Sequence, residues 1–268
     1  MTFSPPVLLS TSSVFPEPTS AAFEMAATLG YDGIEVMVWT DAVSQDAAAL
    51  RMLAEHYGQP VRSVHAPCLL ITQRVWSTDP WERLRRSAAL ATELGAPTVV
   101  VHPPFTWQRE YARGFAAGLG NLREQYPGIA FAVENMYPVR MAGRVFVPYA
   151  PGWNPTDGGF EAYTLDLSHC AAARVDALDM ADAMGAGLAH VHLGDGSGEG
   201  HDQHLVPGRG AQPCGRLLAS LAERGFTGSV AVEVATRRAA NRAARQADLA
   251  EALAFARTHL GAATGAAR

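Results

Sequence analysis

Residues 98–135 read TVVVHPPFTWQREYARGFAAGLGNLREQYPGIAFAVEN, and this stretch decides the fold. The run Thr98–His102 is rich in β-branched residues and predicts a strand. The longer and more polar run Trp107–Gln125 predicts a helix, and Ile129–Glu134 predicts a second buried strand. A strand, a helix and a strand in this order form a βαβ unit, in which the two strands lie parallel in one sheet.

The same alternation runs along the whole chain of 268 residues. Strands are predicted at Val7–Phe15, Gly33–Trp39, Val61–His65, Thr98–His102, Ile129–Glu134, Tyr163–Leu167, Leu188–Leu193 and Ser229–Val234. Helices are predicted at Pro18–Leu29, Gln45–Tyr57, Pro80–Leu94, Trp107–Gln125, Val175–Met184, Pro213–Arg224 and Asn241–Leu260. This pattern predicts an α/β fold, a (β/α)8 TIM barrel with residues 1–268 as a single domain. An open doubly wound sheet would carry a glycine-rich turn after its first strand, and Ser10–Phe15 has none.

One segment breaks the alternation. Residues 137–160 contain Pro138, Pro148, Pro151 and Pro155 together with several glycines. The segment is therefore predicted to be a long loop with room for a short helix. Because a loop of this length in a compact domain usually has a function, we expect it to cover the mouth of the barrel.

Composition narrows the classes of function. The net charge of −5 gives no overall surplus of cationic residues for binding nucleic acid. No apolar run is long enough to span a membrane, and the first residues do not resemble a signal peptide. The three cysteines, Cys68, Cys170 and Cys214, include no C-x-x-C pair. We therefore expect a cytoplasmic protein with neither a disulfide framework nor a cysteine-bound zinc ion.

Acidic and histidine residues recur at the predicted strand ends, where a TIM barrel has its active site. They follow strands three to eight, at His65, His102, Glu134, Asp166, His169, His192, Asp202, His204 and Glu233. Glu134 and Glu233 each end an aliphatic run, and a buried carboxylate without a partner costs several kcal/mol. A bound cation would remove that cost. Mixed carboxylate and imidazole ligands suit Mn²⁺ or Zn²⁺, with Co²⁺ and Fe²⁺ as alternatives, and the ligands suffice for one to three ions per chain.

Other polar residues have less specific interpretations. His190 lies two residues before His192 and shares its face of the strand, so we expect it to pack behind His192 rather than bind metal. Glu35 ends strand two, where contact with substrate and pairing within the core both fit its position. His56 and His259 fall on predicted helices and are interpreted as surface residues.

The strand-end motifs resemble those of the xylose isomerase-like TIM barrel superfamily, over nearly the whole chain. That group includes sugar isomerases, sugar 3-epimerases and the endonuclease-IV-type AP endonucleases (AP endonuclease family 2). Similarity to the epimerase branch implies one metal ion bound by Glu134, Asp166, His192 and Glu233. It also implies that the two glutamates form the acid/base pair and that His169 binds substrate. The loop DQHLVPGRG, residues 202–210, looks like the substrate-proximal loop of many members.

The nuclease branch provides an alternative interpretation. Its enzymes use three zinc ions and nine ligands, and all nine strand-end residues named above are compatible with that set. Two motifs depart from it, however. The chain has NMYP at 135–138, where the nucleases have a glycine-containing motif, and CLL at 68–70, where they have a Tyr-Leu pair that enters DNA.

The favoured hypothesis is a metal-dependent isomerase or epimerase of a sugar, sugar phosphate or polyol, working through a metal-stabilised enediolate. Glu134 and Glu233 would remove and return the proton. The expected substrate contacts are His169, Arg209, Trp107 and Tyr137, with Trp39 and Phe105 extending an apolar wall. The trinuclear zinc phosphodiesterase and a lyase or non-catalytic relative stay open, because fold does not fix function. The expected partner is a small carbohydrate-like molecule, and a homo-oligomer is compatible with the sequence.

Overall fold

The structure is a computed structural model that describes residues 4–141 and 143–262. Its barrel strands are β1 (Val7–Ser10), β2 (Ile34–Met37), β3 (Val61–His65), β4 (Thr98–Val101), β5 (Ala130–Glu134), β8 (Tyr163–Asp166), β9 (Leu188–Leu193) and β10 (Ser229–Val232). They form a closed ring in the order β1-β10-β9-β8-β5-β4-β3-β2, and all neighbours pair in parallel. The predicted single-domain TIM barrel is thereby confirmed.

Helices surround the ring. They are α1 (Thr19–Leu29), α2 (Ala47–Tyr57), α3 (Pro80–Leu94), α4 (Arg109–Gln125), α5 (Leu167–Ala173), α6 (Ala177–Met184), α7 (Cys214–Glu223) and α8 (Arg242–Ala262). The start of α3 follows the predicted signal, because Asp79 accepts a hydrogen bond from the amide of Trp81 at 3.0 Å and Pro80 needs no amide partner. The helix ends at Gly95, whose φ of 70° favours glycine. Within the described residues, no helix is both long and apolar enough to cross a membrane.

The core has an apolar layer and a polar layer. Between the strands and the helices, Leu84, Phe115 and Leu217 are at most 1% exposed, as expected for the main hydrophobic core. Inside the ring, hydrogen bonds link buried polar groups: the hydroxyl of Ser63 donates to Glu35 at 2.9 Å, and Nε2 of His190 contacts the same carboxylate at 2.8 Å. The barrel interior is therefore polar directly below its C-terminal mouth.

The first predicted strand is too long. It ends at Ser10, and residues 11–14 form a 3₁₀ turn. Two side chains stabilise that turn: Thr11 accepts from the amide of Met37 at 2.9 Å, and Ser13 donates to the carbonyl of Val232 at 3.1 Å. These tertiary hydrogen bonds outweigh the β propensity of residues 11–14. The spacing of apolar residues in the sequence does not reveal such bonds.

Two further elements differ from the prediction. A helix, α5, begins directly after β8, because the side chain of Asp166 caps it by accepting from the amide of His169 at 2.7 Å. The predicted loop at 137–160 contains an antiparallel hairpin of β6 (Val139–Met141) and β7 (Arg144–Phe146), together with a 3₁₀ turn at Pro155–Gly158. The turn matches the room left for a short helix, whereas the hairpin was not predicted.

Candidate active site

Four of the predicted residues meet at the C-terminal ends of neighbouring strands. Nδ1 of His192 lies 3.1 Å from Oε1 of Glu134 and 3.0 Å from Oε2 of Glu233. Oδ2 of Asp166 lies 3.6 Å from the same nitrogen. All four residues are buried. We call Glu134, Asp166, His192 and Glu233 the carboxylate centre.

Asp166 is held in place by one of its carboxylate oxygens and by its backbone. Oδ1 caps helix α5, which leaves Oδ2 directed toward His192. Asn135 holds the strand end from the other side, because its Oδ1 accepts from the amide of Asp166 at 2.7 Å and its Nδ2 donates to the carbonyl of Asp166 at 3.0 Å. The ends of β5 and β8 are thus fixed relative to each other at the centre.

A second group of ligand atoms lies around the other oxygen of Glu134. Nε2 of His102 is 2.9 Å from Oε2 of Glu134, and Nε2 of His65 is 3.4 Å from it. The two imidazole nitrogens are 3.1 Å apart. Such separations resemble those between ligand atoms that share one ion, since metal bonds of about 2.0–2.1 Å place neighbouring ligands roughly 3 Å apart.

A third group combines the end of β8 with the loop after β9. Nε2 of His204 lies 2.9 Å from Oδ2 of Asp202, and Nε2 of His169 lies 3.5 Å from the same oxygen. Ser168 orders this loop by donating to Asp202 at 2.6 Å and accepting from the amide of His204 at 2.8 Å. Burial lowers the pKa of His204, but Asp202 outweighs it and raises that pKa to about 10.

The imidazole orientations suit metal binding. Nδ1 of His65, of His169 and of His204 each lies within 3.0 Å of a backbone carbonyl oxygen. Because a carbonyl oxygen only accepts, each Nδ1 carries a proton and each Nε2 faces the site. His192 is reversed, with Nε2 directed at Glu35 and Nδ1 at the carboxylate centre.

Two buried oxygens support the presence of a divalent cation. Oε2 of Glu134 and Oδ2 of Asp166 accept no hydrogen bond, and the 2.9 Å contact of Oε2 with His102 lacks hydrogen-bond geometry. A buried carboxylate oxygen without a hydrogen-bond donor destabilises the folded protein, and a bound cation would compensate for the missing donors. Ligand atoms within 4.8 Å of one another form four groups: His65, His102 and Glu134; Glu134, Asp166 and His192; Asp166, His169 and His204; and Glu35, His190 and His192.

The protonation states follow from the same geometry. Burial lowers the pKa of His192, but three neighbouring carboxylates, with Glu35 the strongest, raise it well above its usual value. Burial raises the pKa of Glu134, yet His192 and then His102 hold it well below its usual range. The pKa of Glu233 falls to about 2, because His192 outweighs the effect of burial. A cation entering the carboxylate centre would therefore replace the proton on His192.

Glu35 and His190 form a layer beneath the carboxylate centre. Oε1 of Glu35 lies 3.1 Å from Nε2 of His192, and Oε2 lies 2.8 Å from Nε2 of His190. Nδ1 of His190 is 3.2 Å from the hydroxyl of Ser229. Of the two roles left open for Glu35, the structure favours pairing in the core, because its carboxylate contacts histidines from below. His190 packs behind the centre as predicted.

A cavity of about 800 Å³ opens above these groups. Of the predicted substrate contacts, His169 and Tyr137 line it, as does Trp39. Trp107 and Phe105 do not line it; they stack on each other with ring centroids 4.4 Å apart. Arg209 also lies elsewhere, because its guanidinium pairs with Glu251 at 3.0 Å.

Several residues that position the site were not predicted from the sequence. Asn135 and Ser168 are described above, and the hydroxyl of Ser12 donates to Oε1 of Glu233 at 3.1 Å. Arg237, which follows β10, lines the cavity. Asn135 stands next to a predicted ligand and could have been suspected on that ground. The roles of Ser12 and Ser168 depend on tertiary contacts that no sequence motif marks.

Fold and site together define a TIM barrel whose C-terminal mouth concentrates carboxylates and imidazoles suited to a divalent cation. The chain belongs to the xylose isomerase-like TIM barrel family, which it matches over residues 23–259. The resemblance found in the strand-end motifs is thereby confirmed.

Individual relatives range from close to distant. An uncharacterised protein of Mycobacterium tuberculosis is 51% identical over 271 residues, covering 94% of this chain and 96% of the relative. Fructoselysine 3-epimerase of Escherichia coli O157:H7 is 24% identical over 247 residues, covering 82% and 86%. The crystal structure of a D-tagatose 3-epimerase-like protein superposes with a TM-score of 0.72 at 21% identity, covering 97% of this chain and 98% of the other. At that identity the last comparison supports the fold alone.

Proposed function

We propose that this chain is a divalent-metal-dependent isomerase or epimerase acting on a small carbohydrate. The observation that carries the proposal is the convergence of three carboxylates on Nδ1 of His192, with buried oxygens of Glu134 and Asp166 left without donors. The similarity to fructoselysine 3-epimerase supports a sugar as the substrate.

Proton transfer is assigned to the two glutamates of the carboxylate centre. The bound metal would act as a Lewis acid that polarises a substrate carbonyl and so acidifies the neighbouring carbon. Glu134 and Glu233 would remove and return the carbon-bound proton, which requires one of them ionised and the other protonated. Their environments are unequal, because the side chain of Glu134 is 1% exposed and that of Glu233 is 11% exposed.

The other cavity residues hold the substrate. Tyr137 lies against His169, with ring centroids 5.0 Å apart, and both line the cavity. His169 keeps Nδ1 on the Asn135 carbonyl, so its Nε2 is the atom available to a substrate hydroxyl or a further ion. The sequence contains no lysine, which excludes an imine formed on a lysine side chain as an alternative route to carbon acidity.

Metal content and hydrogen exchange test the proposal together. Purified protein is analysed for Mn, Zn, Co and Fe, and is then incubated in D₂O with a panel of ketoses. We expect about one tightly bound ion per chain and metal-dependent exchange of the hydrogen next to the carbonyl, read by NMR. Metal-loaded protein that exchanges no hydrogen on any sugar of the panel would contradict the proposal.

A trinuclear zinc phosphodiesterase is the second candidate. It is favoured by three of the four ligand groups, which are linked to one another by Glu134 and Asp166. The mouth argues against a nucleic acid, because Arg237 is the one arginine among the described residues that line it, and duplex binding needs many phosphate contacts. Three zinc ions per chain with cleavage of a duplex containing an abasic site would establish this function instead.

A further inference from the structure

The cavity has an apolar side that the proposed chemistry does not use. The carboxylate centre lies at the ends of β5, β8, β9 and β10. The loops after β1, β2 and β3 form the opposite wall with four apolar side chains: Phe15, Trp39, Leu69 and Ile71. We call these four residues the apolar shelf. A cavity of about 800 Å³ matches ligands of drug size rather than a single sugar ring.

The shelf is open to solvent rather than part of the core. Ile71 is 64% exposed and Phe15 is 43% exposed, while Trp39 and Leu69 are half-buried. Large apolar side chains that stay exposed beside a polar reaction centre are unfavourable unless a ligand covers them. Because the shelf is continuous with the cavity, a ligand bound at the carboxylate centre can extend onto it.

A positive charge lies at the edge of the shelf. The guanidinium carbon of Arg237 is 5.4 Å from the centroid of the Phe15 ring. Within 4–141 and 143–262, no carboxylate lies in ion-pair range of Arg237. Two carboxylates of the cavity wall outside the metal-ligand groups are otherwise engaged: Glu17 pairs with Arg242 at 2.7 Å, and Asp41 accepts from the amide of Thr19 at 2.9 Å. The guanidinium of Arg237 is therefore available to an anionic group of a ligand.

We propose that the substrate is a ketose that keeps its carbonyl free and carries, on the carbon next to that carbonyl, an apolar substituent with an anionic group. The sugar binds at the carboxylate centre, the apolar substituent covers the apolar shelf, and the anion pairs with Arg237. This inference rests on the proposed function and narrows its substrate class. A sugar phosphate fits less well, because it would leave the four apolar side chains exposed.

Three probes, which differ in whether they carry an apolar ring and a negative charge, test the proposal. They are D-fructose, 1-deoxy-1-(4-carboxyphenylamino)-D-fructose and the matching 4-carbamoylphenyl compound, which has the same shape without the charge. Metal-loaded protein is assayed by hydrogen exchange in D₂O and by isothermal titration calorimetry. We expect kcat/KM for the carboxyphenyl probe to exceed that for D-fructose about ten-fold, from the added apolar contact together with the ion pair to Arg237. The carbamoyl probe should fall between the two.

The variant Arg237→Gln tests the contribution of the ion pair separately from that of the apolar shelf. It should reduce the preference for the carboxyphenyl over the carbamoyl probe from about five-fold to none. The matched control is Arg238→Gln, which alters the adjacent exposed arginine outside this cavity and should leave the preference unchanged.

The outcomes distinguish this inference from the proposed function. Equal kcat/KM for D-fructose and the carboxyphenyl probe, or a preference that survives in Arg237→Gln, would overturn the inference and leave the isomerase intact. No hydrogen exchange on any probe would contradict the proposed function itself, whatever the calorimetry shows.

Discussion

The carboxylate centre and the apolar shelf face each other across one cavity, yet they are built differently. The centre consists of buried side chains on strand ends, where strand register and hydrogen bonds fix each atom. The shelf consists of partly exposed side chains on loops. Strand ends are shared by all TIM barrels, whereas loops vary freely. The difference suggests that the centre sets the reaction and that the shelf sets which sugar derivative enters.

The largest effect should follow from a change in the carboxylate centre. Glu233→Gln keeps the size of the side chain but removes its ability to accept a proton, so hydrogen exchange at saturating metal should fall by about 10²–10⁴-fold. Glu251→Gln is the matched control, because Glu251 lies on α8, is half exposed and pairs with Arg209. That control should retain activity within about two-fold.

Full metal occupancy must be verified in both variants before exchange is compared. If metal-saturated Glu233→Gln retained exchange within ten-fold of the unmodified protein, Glu233 would not be a proton-transfer group. The centre would then only bind metal, and the proposed division between reaction and recognition would be lost.

The next effect concerns the layer beneath the centre. Oε2 of Glu35 accepts a hydrogen bond from Nε2 of His192 at 3.3 Å, which keeps Nδ1 free for the cation. Glu35→Gln introduces an amide that can donate to Nε2, so the imidazole proton can shift to Nδ1 and block the metal. We expect metal affinity to fall about 10–100-fold with the fold retained, as measured by competition with a chelator and by the absorption of bound Co²⁺.

Ser63→Ala is the control for this change. It removes a hydroxyl that donates to Glu35 at 2.9 Å but leaves the contact between Glu35 and His192 in place. Affinity should change by no more than about three-fold. Equal losses in the two variants would mean that Glu35 supports the barrel interior in general rather than orienting His192.

The contrast between the two sides also explains which features the sequence predicts well. Parallel strands end at one face of a barrel, so strand order placed nine strand-end residues at one mouth, and the resemblance to the epimerase branch singled out Glu134, Asp166, His192 and Glu233 among them. Their distances to a common nitrogen agree with that expectation. The buried Glu residues also carried a clear physical signal, because an aliphatic strand rarely ends in an unpaired carboxylate.

The loop residues were predicted less well, and the two arginines show why. Arg209 and Arg237 both follow barrel strands, and Arg209 was the predicted substrate contact. The loop of Arg209 is held by Asp195, which accepts from the amides of Gly208 and Gly210 at 3.0 and 2.9 Å. The guanidinium is thereby directed toward Glu251 on α8. Which carboxylate an exposed arginine meets depends on tertiary contacts that the sequence does not encode locally.

Per pH unit, the change in metal affinity should be no larger than the effect of Glu35→Gln, and its slope tests whether His192 binds the cation. The pKa of His192 is raised, so its proton is bound in the metal-free protein at neutral pH and must leave when the cation binds. Apparent Mn²⁺ affinity should therefore rise with pH, by about ten-fold per unit for each displaced proton. Competition with a chelator at pH 6, 7 and 8 measures the slope.

His56→Gln serves as the reference for this titration, because His56 is exposed on α2. Its slope should equal that of the unmodified protein. An affinity that stays constant from pH 6 to 8 would show that no imidazole proton is displaced and that the cation binds elsewhere.

The smallest effect should come from the apolar shelf. Ile71→Ala removes part of an exposed side chain, so KM for the carboxyphenyl ketose should rise by about three-fold while kcat stays unchanged. D-fructose should be unaffected, because a free sugar does not extend onto the shelf. Met52→Ala, at a 70% exposed apolar position on α2, controls for general surface effects. A change in kcat with D-fructose would mean that Ile71 acts on the carboxylate centre, and the two sides of the cavity would no longer be separable.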